Sequence, residues 1–131
     1  MSDGAVPRLY PGETIFIIGG GPSLTGFDFS RLDGRLRLAV NLAYRYIPDA
    51  DIVYWSDARF WRWHHKELIA HPGRKFSIMP PQPHLTDGVT LLKNGPMTGL
   101  SLDPSKLARG NNSGYAAINL AALLGAKRII L

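Results

Sequence analysis

Three glycines in a row, Gly19, Gly20 and Gly21, followed by Pro22, Ser23 and Leu24, stand directly behind the apolar run Ile15, Phe16, Ile17 and Ile18. Main-chain amides in such a loop are not shielded by side chains, so they can come close to an anion, most commonly a phosphate. Other groups able to bind or react fall at similar places, each beside an apolar run. They are Asn41 after Leu36–Val40, Ser56 and Asp57 after Ile52–Trp55, and Asn111, Asn112, Ser113 and Gly114 ahead of Tyr115–Leu124. In an open parallel sheet, ligands bind beyond the carboxyl ends of the strands. The set therefore marks a nucleotide site made of Gly19, Gly20, Gly21, Pro22, Ser23, Asn41, Asn112, Ser113 and Gly114. Taken singly, each of these residues is equally at home as a turn or cap residue.

Two common nucleotide motifs are disfavoured. The dinucleotide fingerprint G-x-G-x-x-G needs a glycine where Leu24 stands, and Asn41 occupies the place of the acid that a nicotinamide enzyme sets against the ribose. A P-loop needs a lysine behind the glycines, and none follows here. What remains is a loop of neutral amides, with the Ser23 hydroxyl and with Asn41, whose amide both donates and accepts.

Catalytic candidates are sparse. Asp57 can hold a divalent cation or a ribose hydroxyl, but it is also placed to cap a helix, and His84 is the histidine that a lid would carry over the site as a general base. His64, Glu67 and His71 recur at helical spacing and read as a solvated face, so no metal site is assigned to them. Phe60, Trp61 and Trp63 read as core before they read as a platform for a base. No cofactor is assigned beyond a divalent cation that would accompany a nucleotide.

These groups need a scaffold. Thr14 to Ile18 is β-branched and aromatic without polar alternation, as in a strand covered on both faces. Thr25 to Leu32 reads as a short helix or turn, Leu36 to Val40 as a second strand, Leu42 to Ile47 as a helical piece closed by Pro48, and Asp51 to Trp55 as a third strand. A helix from Ala58 to Ala70 is capped by Asp57 and stopped by Pro72 and Gly73, and a fourth strand covers Arg74 to Met79. Residues 80–110 are irregular. They are expected to form a lid or insertion in which Val89 to Leu92 and Met97 to Leu102 make a small hairpin. Tyr115 to Leu124 is a helix apolar nearly all round apart from Asn119, ended by Gly125 and followed by a strand over Lys127 to Leu131. The alternation predicts a three-layer α/β domain over residues 13–131, with a mostly parallel sheet of about five strands. Residues 1–12 lack periodicity and are expected to be a flexible arm.

Composition narrows the partners. At 131 residues, 45% hydrophobic and 19% charged, the chain suits one globular domain. Its formal charge of +5 favours anions. The basic residues are scattered from Arg8 to Arg128, so nucleic acid is not the favoured partner. Zero cysteines excludes disulfides, thiolate metal sites and a cysteine nucleophile. No apolar stretch approaches the roughly 20 residues of a membrane span, and no signal pattern opens the chain. A soluble cytoplasmic protein is expected, with oligomerisation left open.

The run Gly19-Gly20-Gly21-Pro22-Ser23-Leu24, then Asn41, then Asn112-Ser113-Gly114-Tyr115 leading into Ala121–Leu131, resembles a group of Rossmann-like proteins. The group includes bacterial sialyltransferases of glycosyltransferase family 42, motility accessory factor glycosyltransferases and archaeal 6-hydroxymethylpterin pyrophosphokinases, and short phage-encoded proteins of unknown role are similar too. The resemblance implies a Rossmann-like sheet. It also implies that Gly20, Gly21, Ser23 and Asn41 contact the nucleotide of a sugar donor, and that Ser113 faces the donor's phosphate or sugar. Those families continue past the last strand with a Gly-x-Asp stretch and a histidine base, so the domain is expected to lack its C-terminal part or to borrow it from a partner. Three readings stay open: the donor-binding half of a nucleotide-sugar transferase, a pyrophosphokinase-like enzyme, and a non-catalytic nucleotide-binding or interaction module.

Overall fold

Strands with both faces apolar must be covered on both sides, and the structure, a computed structural model, meets that requirement with one helix on each face. It describes residues 4–19, 26–83, 88–97, 99–108 and 112–131. The main sheet contains β1 (Thr14–Ile18), β2 (Leu36–Val40), β3 (Ile52–Trp55), β4 (Arg74–Ser77), β5 (Val89–Leu91) and β8 (Arg128–Ile130). Its six strands run in the order β5-β4-β3-β2-β1-β8, and every neighbouring pair is parallel. Two short strands, β6 (Lys93–Asn94) and β7 (Lys106–Leu107), form a separate parallel ladder. The helices are α1 (Ala58–Ala70) and α2 (Ser113–Leu123), with 3-10 turns at Phe29–Leu32 and Asn41–Arg45.

Side-chain alternation along the strands divides the core in two. Ile15, Ile17, Leu38, Val40, Ile52, Tyr54 and Phe76 pack with Ala116, Ala117, Leu120 and Ala121 of α2. Ile18, Ala39, Val53 and Trp55 pack with Trp61 and Leu68 of α1 and with Ala43, Tyr44 and Ile47. The small alanine face lets α2 lie close to the sheet. On α1, Trp61 stacks on Trp55 with ring centroids 5.6 Å apart. Such a pair contributes about 0.5–1.5 kcal/mol beyond its buried area. Trp63, two residues on, is 72% exposed, so of the aromatic trio read as core this one is not.

Asn119 explains the one polar interruption of α2. It is fully buried, its Oδ1 accepts the amides of Ser101 and Ala108 at 2.8 Å each, and its Nδ2 donates to the Ser101 carbonyl at 3.1 Å. The irregular segment is thereby fastened to the helix. The hairpin expected there does not form. Val89–Leu91 instead adds to β4 as a parallel strand, satisfying backbone groups along an edge that would otherwise stay open, and β6 pairs in parallel with β7 rather than folding back. The sheet therefore has one more strand than expected.

Residues 4–12, expected as a loose arm, are docked over their described length. Val6 is buried and its amide donates to the Pro104 carbonyl, while the amides of Tyr10 and Gly12 donate to the carbonyls of Leu124 and Gly125. The carbonyls left free at the end of α2 find donors in this segment. Gly125 makes the approach possible: its φ is +106°, and a Cβ there would lie 2.8 Å from the Cα of Pro11.

Candidate functional site

The order of the sheet sets the location of the site. From β1 the chain passes to β2 and onward in one direction, while β8 lies on the opposite side of β1. The strand order thus reverses at β1, and the carboxyl ends of the strands at such a switch point are where open α/β sheets hold ligands. A cavity of about 950 Å³ opens there, at the upper end of the range usual for small-molecule sites.

Its walls come from five places. The end of β1 contributes Phe16, Ile17, Ile18 and Gly19, and the end of β8 contributes Ile130 and Leu131. Val40 and Asn41 line it from β2, and Asn112, Ser113 and Gly114 from the start of α2. Phe27, Phe29 and Leu32, in and before the first 3-10 turn, add an apolar side with two aromatic rings.

Of the residues expected to bind a nucleotide, Gly19, Asn41, Asn112, Ser113 and Gly114 thus share one cavity. Gly20, Gly21, Pro22 and Ser23, with the catalytic candidate His84, lie outside the described residues.

Asn41 has a φ of +55°, the one positive value for a non-glycine side chain among the described residues. The left-handed region is costly for most L-residues and least so for Asn, and strain of this kind gathers at ligand sites. The twist lies at the step from β2 into the following 3-10 turn, on the cavity wall. Among the described residues the Asn41 side chain has no hydrogen-bond partner, so both ends of its amide are free for a ligand.

Asn112 is committed differently. It is the N-cap of α2, where its Oδ1 accepts the Tyr115 amide at 2.9 Å. Ser113 ends a chain of hydroxyls: its Oγ lies 3.0 Å from Ser56 Oγ, which lies 2.9 Å from the Tyr54 hydroxyl. Burial pushes the Tyr54 phenol up to about 12, so it keeps its proton at neutral pH. If the chain of donors runs outward from Tyr54, Ser113 offers a hydrogen to the cavity; if it runs inward, Ser113 offers a lone pair.

The two polar residues at the third strand end part company. Of the pair Ser56 and Asp57, Ser56 joins the site through Ser113, whereas Asp57 is not on the cavity wall. The Asp57 carboxylate caps α1, accepting the Arg59 amide at 2.8 Å, and pairs with the Arg59 guanidinium at 2.8 Å. Those bonds, the side-chain one first, lower its pKa. It is a cap held by an ion pair, the structural role that the sequence also allows for it.

The histidine and glutamate positions on α1 also separate. Glu67 takes both its oxygens to Arg45, at 2.7 and 2.9 Å, with Tyr44 donating to one of them, and these bonds hold it at about 2. His64 lies 3.6 Å from Glu67, and His71 is buried against Gly73 and Ile47. Among the described residues no group of three or more acidic or histidine side chains is placed to hold a metal ion. The segment 80–110, expected as a lid, contributes none of its described residues to the cavity.

Phe16, Phe27, Phe29, Leu32 and Ile130 are site residues that reasoning from polar strand ends passes over. The signal was the pair Phe27 and Phe29 just behind the glycine loop, two aromatic residues in a segment otherwise read as a turn. No helix among the described residues is long and apolar enough to cross a membrane. Comparisons of the chain with models of protein families, with curated proteins and with solved structures return no match.

Proposed function

We propose that this chain is a nucleotide- or nucleotide-sugar-binding domain, resembling the donor-binding half of a glycosyltransferase. The observation that carries the reading is the cavity at the switch point between β1 and β8, where Asn41, Ser113 and the α2 amides share a wall with aromatic side chains. A nucleotide asks for that mixture: apolar surface for the base, and amides and hydroxyls for ribose and phosphate. The amides that open α2 present the positive end of the helix dipole to an anion in the same cavity.

The described wall consists of apolar, amide and hydroxyl groups. None of these is a general base at neutral pH, and this favours a second reading, a module that binds a nucleotide without transforming it. The pyrophosphokinase-like alternative would need groups able to hold a triphosphate and its cation, which this wall does not supply.

Thermal-shift and calorimetric titration with CMP, CDP, GDP, ATP, a UDP-sugar and CMP-sialic acid tests the proposal. A saturable rise in midpoint with at least one nucleotide is expected, because a ligand that binds only the folded state stabilises it by mass action. No shift with any of them refutes the reading. Release of free nucleotide from a nucleotide-sugar would favour the transferase; binding without turnover would favour the module.

A further inference from the structure

Phe29 is enclosed by its neighbours. Tyr46 stacks on it with centroids 5.2 Å apart and planes 8° from parallel, and Phe27 meets it at 5.0 Å with planes inclined by 66°. Phe27 has no such enclosure: it lines the cavity and remains 38% exposed. An apolar ring left open in a concave site is where a planar ligand gains most from stacking, through area removed from water and the offset contact of two π systems. Phe29 braces this ring edge to face and is itself backed by Tyr46, and Asn41 and Ser113 lie on other parts of the same wall.

Resting on the nucleotide reading, we propose that Phe27 is the base-stacking residue of the site, with Phe29 and Tyr46 as its support. A base held this way is gripped by its face and not by its hydrogen-bonding edge. Every base offers a face, so the four nucleoside monophosphates bind with similar affinity, the purines ahead because their rings are larger.

The experiment is calorimetry of AMP, GMP, CMP, UMP and ribose 5-phosphate on the full chain and on Phe27→Ala, Phe27→Trp and Tyr46→Ala. Phe27 is open to solvent, so its variants should keep the fold, which circular dichroism checks. Stacking on an aromatic side chain is worth about 1–3 kcal/mol, so Phe27→Ala is expected to weaken AMP by about 5- to 150-fold while leaving ribose 5-phosphate unchanged. Phe27→Trp should bind AMP at least as well as the natural chain, and Tyr46→Ala should lose less than Phe27→Ala. If nucleotides bind the natural chain but folded Phe27→Ala binds AMP with equal affinity, the stacking assignment fails while the nucleotide reading stands. The same conclusion follows if ribose 5-phosphate binds as tightly as AMP, or if one base is preferred by more than about 100-fold, which stacking alone does not supply. If no monophosphate binds the natural chain, the stacking assignment falls, and the nucleotide reading falls with it only when the diphosphates, ATP and the nucleotide-sugars also fail to bind.

Discussion

Replacing Asn41 by glycine should separate binding from folding. Its φ of +55° places the residue in a region that costs an L-residue about 1 kcal/mol and glycine nothing. Glycine gives back that strain but adds about 0.5–1 kcal/mol of chain entropy to the unfolded state. The two effects nearly cancel. Asn41→Gly should therefore keep its stability within about 1 kcal/mol, a midpoint change of about 4 °C or less for a chain of this size. Asn41→Val, β-branched at the same dihedral, should lose about 2 kcal/mol. Binding should respond differently. The Asn41 amide carries one acceptor and two donors with no partner among the described residues, and if two of them bond a ligand at about 1 kcal/mol each, their loss raises Kd roughly 30-fold. Calorimetry with the best-binding nucleotide and thermal melts of the three proteins read both quantities. A glycine variant that binds within twofold of the natural chain would refute the placement of Asn41 in the site. One that loses more than about 2 kcal/mol would show that the side chain serves the fold.

Asn119→Leu removes the acceptor of two buried amides and the donor to one carbonyl; at about 1–3 kcal/mol per orphaned group, urea unfolding should show a loss of about 3 kcal/mol or more, and a loss below about 1 would exclude the staple. Gly19→Leu tests the cavity wall, since a Cβ there meets no protein atom within 4 Å: the melt should be preserved and nucleotide affinity should fall at least about tenfold, the equivalent of about 1.4 kcal/mol, whereas unchanged affinity would move the ligand elsewhere. His71 should confer acid sensitivity. Its Nδ1 accepts the Gly73 amide at 2.9 Å, and burial first, then the nearby Lys75 ammonium, lower its pKa from 6.5, with the Ile47 carbonyl and Asp49 opposing. The unfolded chain thus takes up the proton first, so stability is complete above 6.5 and falls as the pH drops through 6.5 towards the lower native value. His71→Gln should flatten that limb in urea midpoints taken on both sides of 6.5, and an identical pH dependence in the variant would assign the effect to other groups.

Elements whose signal is local were legible in the sequence. Asp57 before Ala58 and Gly125 behind the alanine-rich helix marked the ends of α1 and α2 within two residues, because caps and breakers act over one turn. The apolar runs of β1, β2 and β3 were equally plain. Non-local pairings were not. Val89–Leu91 carries nothing that distinguishes a hairpin arm from an edge strand, since its partner is decided by the open edge of β4. The docking of residues 4–12 depends on free carbonyls at the end of α2, which no residue of that segment announces. In the site, Gly19, Asn41 and Asn112–Gly114 were visible as strand and helix ends, and the cavity joins them. Phe27 and Phe29 were missed because apolar residues in a turn look like stray core. Asp57 stayed ambiguous because a carboxylate at a strand end suits a cap and a ligand equally well, and the structure shows the cap and its ion pair with Arg59.

β1 pairs with β8 across nearly the whole length of the chain, and the cavity lies between the ends of those two strands. Closing so long a loop costs more chain entropy than the nearer pairings of β2, β3 and β4, so this pairing is expected to form after them. The pocket comes into existence only when β8 arrives. Under the proposed function, a nucleotide would have nothing to bind in a sheet that lacks β8 and would recognise only the finished one. Its stabilisation is then expected in the kinetics as slower unfolding with an unchanged folding rate, and an unchanged unfolding rate at saturating ligand would refute the late arrival of β8.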